Sequence, residues 1–506
     1  MTQPSSSDTE QSSFRRCFLL LVDGLRADVA EEEFIGGRLP HLAQLIHPSG
    51  RGTAVTAFPS TTSVAYLPFL TGCLPGRCNI PSIRWLSRAE YRGGWWRDRE
   101  ALRSYCGYQA GRLDGDLSPA VRTIFELVPE SVAFFTMITR GLTPERDPTA
   151  RARKLWGAVS HYLQWHQPGD DLVAAHLLRS LDASPPWRFV FAQFPAVDGY
   201  THQTWPASAK VLRALRRVDR VVGELAGRLR ARGWLKDALI LLVSDHGAAQ
   251  VHTHLDLAEW FRAQGVPTLA HPEVWRAAPR AGVMVAGNAS AMVYARPDQQ
   301  RERRWPMQRL RDAASFGAGK DLVGALAAEP GVALVAGEDE SGGVRLVNSG
   351  GEARLDRVGE TIWYQPLGAD PLSLGGSFSG SSREWLERTQ PGGFPDAAVQ
   401  LLDQFRSPRT GDLVIAANQG FDFRRRWEIP EHRSGHGSLI RAHMLTPVWS
   451  NHPLPRVALR TADLFPAILD WLGEPIPEEI DGEPVWLPGR EGEVAEGVGW
   501  RQFSAP

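Results

Sequence analysis

Acidic and imidazole side chains follow apolar segments of this chain in a recurring pattern. Six residues belong to it: Asp23, Asp198, His202, Asp245, His246 and His436. Oxygen and nitrogen ligands without cysteine are typical of catalytic sites for zinc, manganese or iron, not of structural zinc sites. Three carboxylates at one sheet edge would repel one another unless cations neutralised them. The set therefore predicts two divalent ions that stabilise both oxygens of an in-line displacement at phosphorus.

A run of hydroxyl residues, Ser60-Thr61-Thr62-Ser63, precedes the apolar, helix-length segment Val64–Leu70. The start of a helix presents unpaired N–H groups and the positive end of the helix dipole, and both favour a negatively charged oxygen. The run therefore suits a nucleophilic alkoxide, and it equally suits an ordinary N-cap. The acidic and imidazole residues elsewhere in the chain favour the nucleophile.

The elements that must position these residues follow an α/β pattern. Cys17–Val22 and Ala238–Val243 are continuous apolar runs, which are typical of strands buried on both faces of a parallel sheet, and the segment 188–194 is predicted to be a further strand. Open α/β sheets bind ligands at the carboxyl ends of their strands. We therefore predict an α/β fold with a mostly parallel central sheet, helices on both faces and two inserted cap regions.

The α/β pattern is interrupted twice along the chain. The expected parts are a disordered leader 1–14, core segments 15–85, 188–266 and 411–488, a mostly helical insertion 86–187, a mixed α/β insertion 267–410 and a tail 489–506. Five tryptophans at the start of, or within, the first insertion either line a substrate pocket or form its own core: Trp85, Trp95, Trp96, Trp156 and Trp165.

Composition limits the partners of the protein. Over 506 residues the formal net charge is -1, so no global basic field attracts nucleic acid or an anionic membrane. The four cysteines form no CxxC pair, no signal peptide is recognisable and no apolar run is long enough to span a bilayer. We expect a cytoplasmic protein whose partner is a small-molecule phosphoester. The sequence does not predict the oligomeric state.

Five short motifs contain the candidate residues in a fixed order: Val22-Asp23-Gly24-Leu25, Pro59-Ser60-Thr61-Thr62, Asp198-Gly199-Tyr200-Thr201-His202, Ser244-Asp245-His246-Gly247 and Gly435-His436-Gly437. This order resembles the alkaline phosphatase superfamily, and most closely its type I phosphodiesterase/nucleotide pyrophosphatase branch. The resemblance covers roughly 15–85, 188–260 and 411–485 and leaves out both insertions.

The resemblance implies two divalent ions, Zn²⁺ or alternatively Mn²⁺, each with its own ligands. One set is Asp198, His202 and His436, and the other is Asp23, Asp245, His246 and the hydroxyl of Thr62. Counting back from Thr71-Gly72, as the family spacing requires, selects Thr62 over Thr61. The resemblance then implies that Thr62 attacks phosphorus and forms a phospho-threonine intermediate.

One position departs from the family pattern. The asparagine that usually binds a phosphoryl oxygen aligns with Ile83, and we expect the neighbouring Arg84 either to bind two phosphoryl oxygens or to be a plain surface arginine. The function expected first is hydrolysis of phosphodiesters or nucleotide pyrophosphates. The alternatives are a phosphomonoesterase, a phosphoryl or phosphoalcohol transferase of the same superfamily, and a metal-binding protein without catalysis.

Overall fold

The structure is a computed structural model that describes residues 14–93, 100–106, 108–271, 278–297, 299, 303–425 and 430–488, with the backbone alone at 108, 158 and 161. Trp95, Trp96, the tail 489–506 and all but the last residue of the expected leader lie outside these ranges. Within the described ranges, no helix is long and apolar enough to cross a membrane.

A seven-stranded sheet forms the centre of the molecule. Its strands in chain order are β1 (Arg16–Val22), β2 (Arg51–Val55), β3 (Ser131–Phe134), β4 (Phe189–Phe194), β5 (Ala238–Val243), β6 (Leu445–Ser450) and β7 (Leu459–Arg460). Their spatial order is β7-β2-β6-β5-β1-β4-β3. Only β6 runs antiparallel to its neighbours, β2 and β5. The predicted mostly parallel α/β sheet is confirmed.

The register of the central strands determines where the site forms. Cys17 of β1 pairs with Phe189 of β4 on one side and with Leu239 of β5 on the other. All three strands are parallel, so their carboxyl ends meet at one sheet edge. Every residue of β1, β4 and β5 is buried, which explains why these strands are apolar apart from Arg16 and Gln193.

Helices cover both faces of this sheet. The main ones are α1 (Ala27–Ile35), α2 (Leu67–Thr71), α3 (Ala150–Leu163), α4 (Gln167–Ser180), α5 (Ala196–Gln203), α6 (Ala209–Ala231) and α7 (Leu464–Leu472). Alternate residues of β1 point to opposite faces, with Leu19 in the core under α2 and α7 and Leu20 in the core under α6. The central sheet is therefore a buried layer between two helical layers.

A second, nine-stranded sheet lies in the C-terminal half. In spatial order its strands are Thr268–Ala270, Ala281–Ala286, Ser290–Ala295, Leu413–Ala417, Val332–Glu338, Val344–Asn348, Gly351–Val358, Thr361–Pro366 and Phe378–Gly380. Short two-stranded pairs join Arg84–Leu86 to Leu102–Ser104, Ala249–Gln250 to Ser434–Gly435, and Thr253–His254 to Phe421–Asp422.

Further helices connect these sheets. They are Pro40–Leu45, Leu113–Asp116, Ile124–Leu127, Leu257–Ala263, Met307–Arg311, Ala313–Phe316, Leu322–Ala327, Ser382–Thr389, Ala397–Gln404 and Arg441–Met444. Short 3₁₀ turns span Tyr108–Arg112, Pro144–Arg146, Leu235–Asp237 and Thr461–Asp463.

Two strands differ from the expected division of the chain. Ser131–Phe134, expected within a mostly helical insertion, is the edge strand of the central sheet and pairs with β4. Leu413–Ala417, expected in the core, belongs to the second sheet, where it lies between Ser290–Ala295 and Val332–Glu338. An apolar run indicates burial, but it does not identify the sheet in which a strand is buried.

The hydroxyl run does not lie at the start of a helix, where we expected it. Residues 62–66 form turns, and α2 begins only at Leu67. Ser63 has a φ of 71°, in the left-handed region, so a right-handed helix cannot pass through it. The hydroxyls therefore lie in a tight turn before the helix and do not cap it.

Candidate active site

The three carboxylates meet at the carboxyl ends of the central strands. Asp23 directly follows β1, and its backbone N–H donates to the carbonyl oxygen of Phe194 at the end of β4. Gly24, with a φ of +70°, permits this approach, because a Cβ there would lie 2.7 Å from Oδ1 of Asp198. Asp245 lies beside them, where its Oδ1 accepts from the Gly24 N–H at 3.3 Å.

The first ligand group is built on α5 and on the loop that contains His436. Asp198 and His202 lie four residues apart, on one face of α5, with Oδ2 and Nε2 3.3 Å apart. Nε2 of His436 lies 3.2 Å from Nε2 of His202 and 4.0 Å from Oδ1 of Asp198. The three side chains thus point their ligand atoms into one space.

Backbone carbonyl groups orient both of these imidazoles. Nδ1 of His202 lies 2.9 Å from the carbonyl oxygen of Ser434, and Nδ1 of His436 lies 2.9 Å from that of Ser60. An N–H at each Nδ1 donates to these oxygens, which leaves Nε2 of each ring with a lone pair for a cation.

The second ligand group surrounds His246. Its Nε2 lies 3.3 Å from Oδ1 of Asp23 and 3.6 Å from Oδ2 of Asp245. Its Nδ1 lies 3.1 Å from the carbonyl oxygen of Gly247, which again directs the lone pair of Nε2 inward. His246 and His436 stack with ring centroids 3.8 Å apart, so the two groups adjoin each other.

The donor atoms fit divalent cations. Two sets of three ligand atoms each lie within 4.8 Å of one another: Asp198, His202 and His436, and Asp23, Asp198 and His246. Oδ1 of Asp198 and Oδ2 of Asp245 are buried without a hydrogen-bond partner among the described residues. Buried carboxylate oxygens normally accept a hydrogen bond or bind a cation. These two oxygens accept no hydrogen bond from the described residues, so they are available as metal ligands.

Thr62 is the hydroxyl residue that reaches this cluster. Its Oγ1 lies 3.1 Å from Nε2 of His246 and 3.3 Å from Oδ1 of Asp23. Thr61 is fully buried, and its methyl group faces the backbone of Gly287 and Gly437. The turn thus directs the two neighbouring threonines to different sides.

Burial and mutual repulsion perturb the carboxylates. Burial raises the pKa of Asp23, and the charges of Asp245 and Asp198 raise it further. Burial likewise raises the pKa of Asp245. Burial also opposes ionisation of Asp198, but the adjacent His202 and His436 outweigh it and lower the pKa of this carboxyl. Asp23 and Asp245 thus resist ionisation, and cations would stabilise their charged forms.

Arg84 makes its side-chain hydrogen bonds away from this cluster. It begins the short strand Arg84–Leu86, and its guanidinium donates to the carbonyl oxygen of Val285 at 3.1 Å and to the Ser104 hydroxyl at 3.4 Å. These bonds hold it against the second sheet. Its expected role in binding phosphoryl oxygens stays a prediction.

Three residues that lie at the cluster were not identified from the sequence. Gln193 donates from Nε2 to Oδ2 of Asp23 at 2.7 Å, and the signal was a lone amide in the apolar strand β4. His432 stacks on His202 with ring centroids 4.2 Å apart, and Asn288 lies 3.2 Å from Nδ1 of His432. Asn288 belongs to the turn of a hairpin in the second sheet, so no sequence spacing pointed to it.

The Gly287-Asn288 turn packs directly on the site. Gly287 accepts from the N–H of His436, and a Cβ at Gly287 would lie 2.6 Å from both the methyl carbon of Thr61 and the carbonyl oxygen of His436. Only glycine fits this close approach, with its φ of +56°. The second sheet thereby forms one wall of the site.

A parallel α/β sheet with a carboxylate–imidazole cluster and a hydroxyl at its edge defines a class of phosphoester hydrolases. The sequence model of the type I phosphodiesterase/nucleotide pyrophosphatase family matches residues 17–319. The chain belongs to this family, within the alkaline phosphatase superfamily, and the predicted resemblance is confirmed.

Solved structures share the fold at low sequence identity. Murine ectonucleotide pyrophosphatase/phosphodiesterase 5 is 11% identical with a TM-score of 0.56, over 92% of this chain and 98% of its own. Phosphonoacetate hydrolase from Sinorhizobium meliloti is 14% identical with a TM-score of 0.53, over 89% of this chain and 94% of its own. No curated protein sequence matches the chain.

Proposed function

We propose that this protein is a two-metal phosphoester hydrolase that acts on phosphodiesters or nucleotide pyrophosphates through a phospho-threonine intermediate at Thr62. The observation that carries the proposal is the position of the Thr62 hydroxyl, 3.1 Å from Nε2 of His246 and 3.3 Å from Oδ1 of Asp23. Family membership supports phosphoester hydrolysis independently of this geometry.

The proposed division of the ligands follows the family resemblance. One cation would be held by Asp198, His202 and His436, and the other by Asp23, Asp245 and His246, with Thr62 at its edge. When bound, two divalent ions would neutralise the carboxylates and stabilise charge on the attacking and leaving oxygens. Zn²⁺ and Mn²⁺ both accept this set of oxygen and nitrogen donors.

The residues of the chain then have separate tasks. Thr62 gives its hydroxyl proton to solvent water, its Oγ1 forms a bond to phosphorus, and the bond between phosphorus and the leaving oxygen breaks. A water molecule then attacks the same phosphorus, the bond between phosphorus and Oγ1 of Thr62 breaks, and a proton from that water restores the threonine hydroxyl. Gln193 holds Asp23 in place during both steps, and the carbonyl oxygens of Ser434 and Ser60 hold the rings of His202 and His436.

One observation favours diesters over monoesters. The Arg84 guanidinium, which would bind the second free oxygen of a monoester, already donates to Val285 and Ser104. A nucleotide as the substrate class is supported by a similar structure, that of an inactive threonine-to-alanine variant of the murine ectonucleotide pyrophosphatase/phosphodiesterase 5 in complex with AMP. That protein shares only 11% of its sequence with this chain, so the nucleotide is part of the proposal.

Paired measurements on the purified full chain test the proposal. Elemental analysis gives the number of bound metals, and rates with zinc and with manganese are compared on p-nitrophenyl phosphate and bis-p-nitrophenyl phosphate. We expect two metals per chain and faster turnover of the diester. Faster turnover of the monoester would make the protein a phosphatase, and bound metals without turnover of either compound would contradict hydrolysis of simple esters.

A further inference from the structure

An exposed apolar surface lies at the end of α3 and in the turn that follows it. Its four side chains are strongly exposed: Leu155 at 64%, Tyr162 at 71%, Leu163 at 68% and Trp165 at 56%. Ten large hydrophobic side chains are exposed among the described residues, by 41% to 72%, and four of them fall within these eleven positions. This concentration separates the α3 apolar face from the scattered apolar residues of an ordinary surface.

α3 is attached to the body of the protein through two side chains. Trp156 is half-buried and packs against the core beneath the central sheet. Arg153 forms an ion pair of 3.2 Å with the buried Asp147. Leu155 and Tyr162 are seven residues apart, about two helical turns, so they project from the same side of the helix. The helix is thus anchored through Trp156 and Arg153, while Leu155 and Tyr162 project from its outer side.

Basic residues flank the α3 apolar face. Arg151 and Lys154 are both exposed, and neither has an ion-pair partner within the part of the chain that the structure describes. Lys154 is one of only four lysines in the chain. A helix with exposed Tyr, Leu and Trp beside cationic side chains is typical of segments that lie in the interface of an anionic bilayer.

A second copy of the chain fits this surface less well. A stable interface between proteins takes roughly 800 Å² from each partner and about 20–30 residues. The α3 apolar face supplies four apolar side chains from one helix and its turn. A bilayer interface needs no shape complementarity, and it accepts separate side chains that each insert on their own.

The surface is connected to the helix that carries two candidate metal ligands. His166 follows Trp165 directly, and its ring packs edge-on against Tyr200 of α5 at 5.2 Å. Gln203 of α5 lies 2.8 Å from Nε2 of His166 and donates to the carbonyl oxygen of Gln164 at the same distance. A surface bound through α3 would therefore lie close to the site at α5.

We propose that the α3 apolar face binds the surface of an anionic lipid bilayer. Tyr162, Leu163 and Trp165 enter the interface between headgroups and acyl chains, and Arg151 and Lys154 contact the anionic headgroups. This binding does not depend on the chemistry of the candidate active site, so it can hold or fail separately from the proposed hydrolase activity.

Vesicle flotation with the full chain tests this inference. The vesicles contain phosphatidylcholine alone or with about 30% phosphatidylglycerol. We compare wild type with the double variant Tyr162→Ser and Trp165→Ser and with the double variant Arg151→Gln and Lys154→Gln. Trp363→Ser is the matched control, since Trp363 is 52% exposed in the second sheet. Thermal melting verifies that every variant is folded.

We expect about fivefold or greater enrichment on the anionic vesicles, reduced at least about fivefold by either double variant and unchanged in the Trp363→Ser control. Two results would overturn the proposal. The first is a failure of the flotation test itself, in which wild type does not float or the serine variant floats as well as wild type. The other is a concentration-dependent dimer in sedimentation velocity that the serine variant loses, which would assign the surface to a second copy.

Discussion

The hydroxyl oxygen of Thr62 lies 3.1 Å from Nε2 of His246. Because Nδ1 of this ring faces the carbonyl oxygen of Gly247 at 3.1 Å, Nε2 presents its lone pair toward the hydroxyl. Ser63, with its left-handed φ of 71°, turns the chain immediately after Thr62. The tight turn therefore holds the threonine oxygen at the second ligand group, and the proposed chemistry depends on this position.

Thr62→Ala should abolish turnover of bis-p-nitrophenyl phosphate, by at least about 1000-fold, because the Thr62 hydroxyl is the one that contacts the side-chain ligand atoms of Asp23 and His246 among the described residues. Metal content should remain near that of wild type, since the carboxylates and imidazoles stay. Thr61→Ala is the matched control, and its turnover should stay within about tenfold of wild type. A dead Thr61→Ala enzyme beside an active Thr62→Ala enzyme would assign the nucleophile to Thr61.

Asp245→Asn should lower both metal occupancy and rate. The amide is neutral and is a weaker ligand than the carboxylate whose Oδ2 is buried without a hydrogen-bond partner among the described residues. Elemental analysis after dialysis should find less than wild-type metal, and added zinc should restore part of the rate. Full occupancy together with full activity would refute the assignment of Asp245 as a ligand.

Gln193→Leu should weaken metal binding by about 10- to 100-fold, because Oδ2 of Asp23 would lose the donor that orients it. A chelator competition measures the affinity directly. Gln308→Leu is the control, since Gln308 donates to Asp339 at 3.0 Å in the second sheet. Equal losses in both variants would indicate general destabilisation and not positioning of Asp23.

Asp170→Asn should change how stability depends on pH. Burial raises the pKa of Asp170 to about 8 from 3.8, so the folded protein binds the extra proton between these values. Stability of the wild type therefore falls as pH rises through this window. The asparagine has no proton to lose and can still accept from the N–H of Ala196, which donates to Oδ1 of Asp170 at 2.9 Å.

The measurement is the melting temperature of both proteins at several pH values. The variant should gain on the wild type steadily from about pH 5 to about pH 8, and the difference should level off above the folded pKa. A constant difference across this range would show that Asp170 ionises as easily in the folded protein as in the unfolded chain.

Arg84→Ala should reduce monoester turnover more than diester turnover if the guanidinium binds two free phosphoryl oxygens, as the sequence suggested. Because the guanidinium already donates to Val285 and Ser104, we expect instead that both rates change equally and by less than about tenfold. The ratio of the two rates, measured on one preparation, decides between these outcomes.

The clustering of the candidate ligands was predictable from the sequence because strands of a parallel sheet end at one edge. Asp23, Asp198 and Asp245 follow, directly or within four residues, three apolar runs that are adjacent strands, and His202 lies one helical turn beyond Asp198. The choice of Thr62 over Thr61 needed the family spacing. The local sequence does not reveal the left-handed Ser63 that separates the two side chains.

Long-range packing explains what the sequence did not predict. The runs at Ser131–Phe134 and Leu413–Ala417 are equally apolar, yet one joins the central sheet and the other the second sheet. Asn288 reaches the site only because the second sheet packs its hairpin turn against His436. The described tryptophans at the first insertion do not share one environment. Trp85 is buried, as expected of a core residue, whereas Trp165 is exposed.

Trapping the covalent intermediate tests the central claim most directly. Enzyme is mixed with bis-p-nitrophenyl phosphate, quenched in acid within the first turnover, digested and sequenced by mass spectrometry. The account predicts a p-nitrophenyl phosphoryl group on the peptide that contains Thr62, located on Thr62 itself and missing from the Thr62→Ala variant. An adduct on Thr61, or rapid turnover with no adduct on either threonine, would contradict the account.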